Sequence, residues 1–190
     1  NLIRANDISR IGQLRLSDMG GIYMLGEQEG TVVEDNEIRE VLTARAMGEG
    51  IYLDAGASLM TICGNFVDGA EDCAFFLTYC SDYNVIENNL FVNGGNYVAH
   101  RQPSDGSIYG RTSVLRRNIL HSRSVECPFA DESLPDVTSF KRENNLCFLQ
   151  EERIDLQSFA DVEKVMDPAS IGFKPVRIGS AGRKAPANRT

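Results

Sequence analysis

A short apolar phrase that closes on asparagine returns six times in 190 residues, and no other feature constrains the fold as strongly. It reads "NLIRANDI" from Asn1, "TVVEDNEI" from Thr31, "MTICGNFV" from Met60, "NVIENNLF" from Asn84, "SVLRRNIL" from Ser113 and "SFKRENNL" from Ser139. Aligned on Asn6, Asn36, Asn65, Asn89, Asn118 and Asn144, the phrases lie 30, 29, 24, 29 and 26 residues apart. A repeat of that length means stacked units, none of which can bury its apolar face alone. Within the phrase the third and eighth positions are mostly apolar, while the fourth is mostly charged (Arg4, Glu34, Glu87, Arg116, Arg142). That alternation is a strand's. A second strand opens on "GIYML" (21–25) and "GIYLD" (50–54), with weaker versions in "AFFLT" (74–78) and "NYVAH" (96–100). Each unit is therefore two or three short strands, with no room for a crossover helix.

Like strands stacked on like strands run parallel, and a right-handed path between parallel neighbours generates a coil. The expected fold is all-β: a right-handed parallel β-helix, a solenoid of about six coils over residues 1–149, with a C-terminal cap and tail over 150–190. The asparagines fit corners of the coil, because Asn tolerates left-handed backbone and its amide bonds well to backbone and to a stacked neighbour. All six prolines lie after residue 102, which leaves the most regular coils free of a residue unable to donate to a ladder. Residues 121–137 read as a loop, "EERIDLQSFADVEKV" as a short amphipathic helix, and the last residues as an irregular basic tail. Residue 1 already falls inside a repeat, so further coils and a cap are expected to precede it.

A net charge of −8 and a pI near 4.8 argue against nucleic acid as a partner. No run of 18 apolar residues is present, so a membrane is not an expected partner either. Arg116, Arg117 and Arg123 form a local basic patch that reads as a solvated face. The five cysteines (Cys63, Cys73, Cys80, Cys127, Cys147) have no metal spacing and read mainly as free thiols, although Cys63, Cys73 and Cys80 are close enough to pair in an exported protein. Asp68, Glu71 and Asp72 offer oxygen ligands of the kind calcium takes, but three acids in one turn read first as exposed. No metal and no cofactor is expected.

Taken together, "GIYMLGEQEGTVVEDNEI", "GIYLDAGAS", "NVIENNLFVN" and the closing "DPASIGFKPVRIGSAG" resemble the C-terminal part of bacterial right-handed parallel β-helix proteins of the pectin-lyase-like superfamily. The resemblance runs from residue 1 to about 182 and implies an exported, secreted or periplasmic, carbohydrate-active protein acting on a polysaccharide or oligosaccharide. Fold alone does not carry function. The chain also departs from those relatives. Ala55, Gly56 and Ala57 stand where they have an acidic residue, Gly and Ser, and Phe76, Leu77 and Thr78 stand where a His-x-His often follows.

Aligning the rungs on Gly-Ile-Tyr places Asp54, Thr78 and His100 in one column, and sets Glu27 and Asp54 on neighbouring coils. Two carboxylates roughly 5 Å apart suit a retaining glycosidase and a wider pair an inverting one, and close like charges raise one pKa to make a general acid. The expected catalytic pair is therefore Asp54 as nucleophile or base and Glu27 as acid, with His100, Arg101 and Tyr79 binding substrate. Trp is absent, so any sugar-stacking platform has to come from Tyr and Phe. The leading reading is a polysaccharide-degrading glycoside hydrolase. The alternatives are a polysaccharide lyase, with Arg101 beside His100 neutralising a uronate, and a non-enzymatic glycan-binding or structural module.

Overall fold

The computed structural model describes residues 1–78, 81–100, 113–123, 141–150 and 152–179. Its strands form three parallel sheets, one for each face of a coil. Face A holds β1 (Leu2–Arg4), β4 (Val32–Glu34), β7 (Thr61–Cys63), β10 (Val85–Glu87), β13 (Val114–Arg116) and β15 (Lys141–Glu143). Face B holds β2 (Asp7–Ile11), β5 (Glu37–Val41), β8 (Phe66–Ala70), β11 (Leu90–Gly94), β14 (Ile119–Ser122) and β16 (Leu146–Leu149). Face C holds β3 (Met19–Glu27), β6 (Gly48–Ser58), β9 (Cys73–Leu77) and β12 (Asn96–His100). Two faces thus carry six rungs and the third carries four, so among the described residues about four laps are complete rather than six. Parallel returns to the same sheet take the right-handed path.

The core is the set of inward positions that the repeat announced. On face A, Val33, Ile62, Ile86 and Leu115 stack in register, and on face B so do Ile38, Val67, Phe91 and Leu120; all are fully buried. Face C adds Ile51 over Phe75 and Leu53 over Leu77. The glycine that opens each Gly-Ile-Tyr phrase is where face C crosses close to face B. A Cβ on Gly50 would lie 2.3 Å from Val67 Cγ1 and 2.4 Å from the Ala74 carbonyl, and one on Gly21 would lie 2.5 Å from Ile38 Cγ2.

The corner between faces A and B explains the recurring asparagine. The residue with left-handed backbone is the one before it: Ala5, Asp35, Gly64, Asn88, Arg117 and Asn144 all have φ between 50° and 66°. The asparagine itself points inward and joins a continuous file, its Nδ2 donating to the next Oδ1 over 2.8 to 3.0 Å from Asn6 through Asn36, Asn65, Asn89 and Asn118 to Asn145. The last member is therefore Asn145. Asn144, the residue first aligned, supplies the corner's backbone angle, and the register Arg116↔Glu143 requires this. Each Nδ2 from Asn36 onward also donates to a face A carbonyl of the rung before it, as Asn65 does to Val33 over 2.9 Å. Buried amides so arranged leave no donor unmet, as burial demands.

After β16 the chain turns back along the outside of face B. Ile154, Leu156, Val162 of helix α1 (Phe159–Val165), Phe173 and Val176 pack on the outward side chains Phe66, Leu90, Val92 and Ile119. Polar contacts mark the path: Ile154 pairs with Asn93, Lys174 with Asn88, and Arg177 reaches Asp7 on the first rung over 2.6 Å. Beneath this strap Arg39 is held between Glu37 and Asp68, all nearly inaccessible, with its guanidinium 4.5 Å from the Phe66 ring centroid. No described helix is long and apolar enough to cross a membrane.

Candidate functional site

The outward side of face C is where polar and aromatic side chains gather. Register sets Tyr23 beside Tyr52 and Tyr52 beside Phe76, so the third residue of each Gly-Ile-Tyr phrase becomes one aromatic file. The Tyr23 and Tyr52 rings stack with centroids 4.3 Å apart, and Phe76 tilts onto Tyr52 at 5.1 Å. Tyr23 is 37 % exposed.

Asp54 stands two residues beyond Tyr52, in the next outward column. Directly after it β6 bulges: Ala55 and Gly56 have φ of 42° and 82°, and the bulge turns the Ala55 N–H back onto Asp54 Oδ1 at 2.8 Å. The Tyr23 hydroxyl donates to Asp54 Oδ2 at 2.6 Å, and the Thr78 hydroxyl donates to Oδ1. Partial burial works to raise the Asp54 pKa, but these donors outweigh it and hold the carboxyl below its usual range. The phenols move the other way. Tyr23 is pushed up to about 12, by burial first and by Asp54 next, and Tyr52 is raised by burial and then by Asp54 and Asp18. At any physiological pH the site is an ionised Asp54 facing two neutral phenols.

A second carboxylate closes the group. Tyr52 donates to Asp18 Oδ1 at 3.3 Å, and the two tyrosine hydroxyls interact with each other. Asp54 and Asp18 therefore bracket the pair of phenols, one carboxylate hydrogen-bonded to each hydroxyl. Glu49 is a different case. It is buried, accepts the Cys73 N–H at 2.8 Å, and is pushed up to about 8 by burial first and by Asp72 next. It precedes Asp54 on β6 by five residues, roughly 16 Å of strand, too far to share one glycosidic bond.

The expected pair Asp54 and Glu27 is not brought together. Asp54 pairs by register with Leu25, and Glu27 with Ser58, because β6 takes four steps from Asp54 to Ser58 where β3 takes two. The bulge at Ala55 and Gly56 absorbs the difference, and alignment on Gly-Ile-Tyr had no means of placing it. His100 pairs with Leu77, which puts it in the column of Leu53, one position from the Asp54 column, since Asn96 pairs with Cys73 and not Ala74. Tyr79 and Arg101 lie outside the described residues, as do Cys80 and Cys127.

The other acidic and basic groups have structural partners. Asp68 is buried and takes Arg39 at 2.6 Å, Arg153 at 2.9 Å and Asn93 at 2.8 Å, while Glu71 and Asp72 bond to backbone N–H groups of the 43–48 segment. Of that turn Asp68 is buried and Asp72 half-buried, whereas Glu71 is exposed as read. No cluster of three ligating residues suited to a metal occurs among the described residues. Arg116 and Arg117 both pair with Glu87, and Cys63 is a free thiol. Sequence reasoning missed Tyr23, Tyr52, Phe76 and Asp18, although the tyrosine shared by both Gly-Ile-Tyr phrases was a signal for the file.

A family model described as a right-handed beta helix region matches residues 1–125. No curated protein matches the chain, and no solved structure does.

Proposed function

The chain belongs to the right-handed β-helix family, and from that premise we propose that it is a carbohydrate-active β-helix protein whose face C receives a polysaccharide or oligosaccharide. The observation that carries this reading is the Tyr23–Tyr52 stack hydrogen-bonded to Asp54. A partly exposed tyrosine beside a fixed, ionised carboxylate offers a sugar ring one apolar contact and one acceptor for its hydroxyls. The parallel stack repeats its outward columns along the axis, which suits a chain-like ligand. The setting that goes with such a substrate is extracellular or periplasmic. The test is binding of immobilised polysaccharides to the intact chain and to Tyr23→Ala and Asp54→Asn. Retention measured by affinity electrophoresis should fall for both variants, and unchanged retention in both would remove face C from the proposal.

Bond cleavage by hydrolysis is the second reading, and the Asp18–Asp54 bracket favours it over a lyase. In this scheme Asp54, held ionised, serves as nucleophile or base across from Asp18. A lyase needs positive charge to neutralise a uronate, and strands β3, β6, β9 and β12 contain no Lys or Arg. Release of reducing ends that survives both Asp18→Asn and Asp54→Asn would eliminate the hydrolytic assignment while leaving binding in place.

A further inference from the structure

We infer that the corner where face B turns toward face C holds a binding site for a tetrahedral oxyanion, a sulfate or phosphate group either free or carried as the monoester of a small sugar. The site is separate from the outward side of face C and does not depend on glycan binding there. At this corner the strap and three successive rungs enclose a cavity of about 400 Å³, within the range of small-molecule sites, roughly 300–1,000 Å³. Its floor is almost bare of side chains, with Gly69 and Ala70 ending the rung of β8 and Gly94 and Gly95 ending the next. The cations on its lining are Arg153 of the strap and Arg123, which follows β14.

Gly69 is what admits Arg153. The equivalent position on the other rungs of face B is filled by Arg10, Glu40 and Asn93, with φ of 56°, 57° and 59°, so the left-handed backbone there does not itself require glycine. A Cβ on Gly69 would lie 3.2 Å from Arg153 Nη1, and its absence leaves the space the guanidinium occupies. Arg153 Nη2 donates to Asp68 Oδ1 at 2.9 Å, and the buried Asp68 carboxylate also accepts from Arg39 and Asn93. One edge of the Arg153 fork is thereby fixed, while its side chain stays 45 % exposed. Arg123 stands on the far side of the glycine rung. Its backbone N–H donates to Gly94 O at 3.2 Å, and its exposed guanidinium has no partner among the described residues. The acid on the lining, Glu71, is turned to Thr43, whose N–H and hydroxyl donate to its Oε2. Two guanidinium forks from different segments thus border one bare floor. A carboxylate has two oxygens, which a single fork fills, whereas a sulfate or phosphate monoester has three terminal oxygens and can serve both.

The discriminating experiment is isothermal titration of the intact chain at low ionic strength with inorganic sulfate, a hexose sulfate monoester, the unmodified hexose and a hexuronate. The sulfate forms should bind on the order of tenfold tighter than the hexuronate, by an attraction that weakens with added salt, and the unmodified hexose should not bind measurably. A monoester tighter than inorganic sulfate identifies a sugar ester as the occupant, and the reverse order identifies the free anion. Arg123→Ala removes no side-chain bond within the described fold, so it should unfold at the wild-type temperature and still lose about tenfold in sulfate affinity. Arg153→Lys keeps the counter-charge of Asp68 but not the planar fork, and should weaken sulfate binding as well. Hexuronate binding as tight as sulfate overturns the tetrahedral assignment. No sulfate binding to the folded chain, or binding that Arg123→Ala leaves unchanged, overturns the site.

Discussion

Replacing Asn65 by alanine should be among the most damaging single changes available in this chain, although it removes only a small polar side chain. Asn65 is fully buried. Its Oδ1 accepts from the Asn36 backbone N–H at 3.1 Å and from Asn36 Nδ2 at 2.9 Å, and its Nδ2 donates to Val33 O, Cys63 O and Asn89 Oδ1. Alanine cannot replace these bonds, and a cavity the size of an amide has no route for several waters. The Asn36 N–H and the Val33 carbonyl lose partners inside the stack, and each stranded buried group costs about 1–3 kcal/mol. With Asn36 Nδ2 keeping only its bond to Ile3 O, the sum is roughly 3–6 kcal/mol, a large share of the stability of an ordinary domain. Asn6→Ala provides the internal control. Asn6 is exposed at the end of the file and only donates within it, to Asn36 Oδ1, so its loss should cost about 1 kcal/mol. Urea unfolding followed by circular dichroism measures both midpoints, and amide exchange at Asn36 reports the stranded donor. If Asn65→Ala and Asn6→Ala unfold within experimental error of each other, the file is a consequence of stacking and not a contributor to it.

Two further perturbations probe other parts of the fold. Glu49 is raised from 4.5 to about 8, chiefly by burial, so folding favours its protonated form; that contribution is complete below about pH 4.5 and is lost as pH rises through about 8. It amounts to several kcal/mol, and Glu49→Gln should flatten the chemical-denaturation profile across that window, whereas an unchanged slope would show that Glu49 does not titrate there. Asp68 anchors both Arg39 and Arg153 beneath the strap, so Asp68→Ala takes one of two carboxylates from a buried guanidinium, leaving it Glu37 alone, and should cost about 3–5 kcal/mol. Limited proteolysis should then cut first near residues 152–179, and cleavage elsewhere at wild-type rate would contradict the strap's dependence on that ion pair.

What the residues disclosed directly was everything tied to a period. Inward positions on faces A and B recur at fixed offsets from the asparagine, and hydrophobic periodicity depends only on local backbone geometry, so Val33, Ile62, Ile86 and Leu115 were legible as one file. The same holds for the Gly-Ile-Tyr phrase, whose glycine has no room for a side chain where face C crosses face B. Asp54 was legible as a carboxylate on an outward column. Thr78 was legible beside it in the same column, but Tyr23 and Asp18 were not, because they join the site through long tyrosine side chains from other columns; the bulge at Ala55 and Gly56 shifts the later pairings on that strand, which sets Glu27 against Ser58.

The sequence by itself determined that equivalent strands stack in parallel and which side chains they bury, since those follow from repeat length and alternation. Only the tertiary structure decided which outward groups meet. Leu25 and not Glu27 faces Asp54, two tyrosines bridge it to Asp18, and residues 152–179 run down the outside of face B over a buried Arg39. These are contacts between segments 23 to 170 residues apart, and no local pattern encodes them. They are fixed by the bulge, the register of each rung and the return path of the chain, which exist only once the coils have closed on one another.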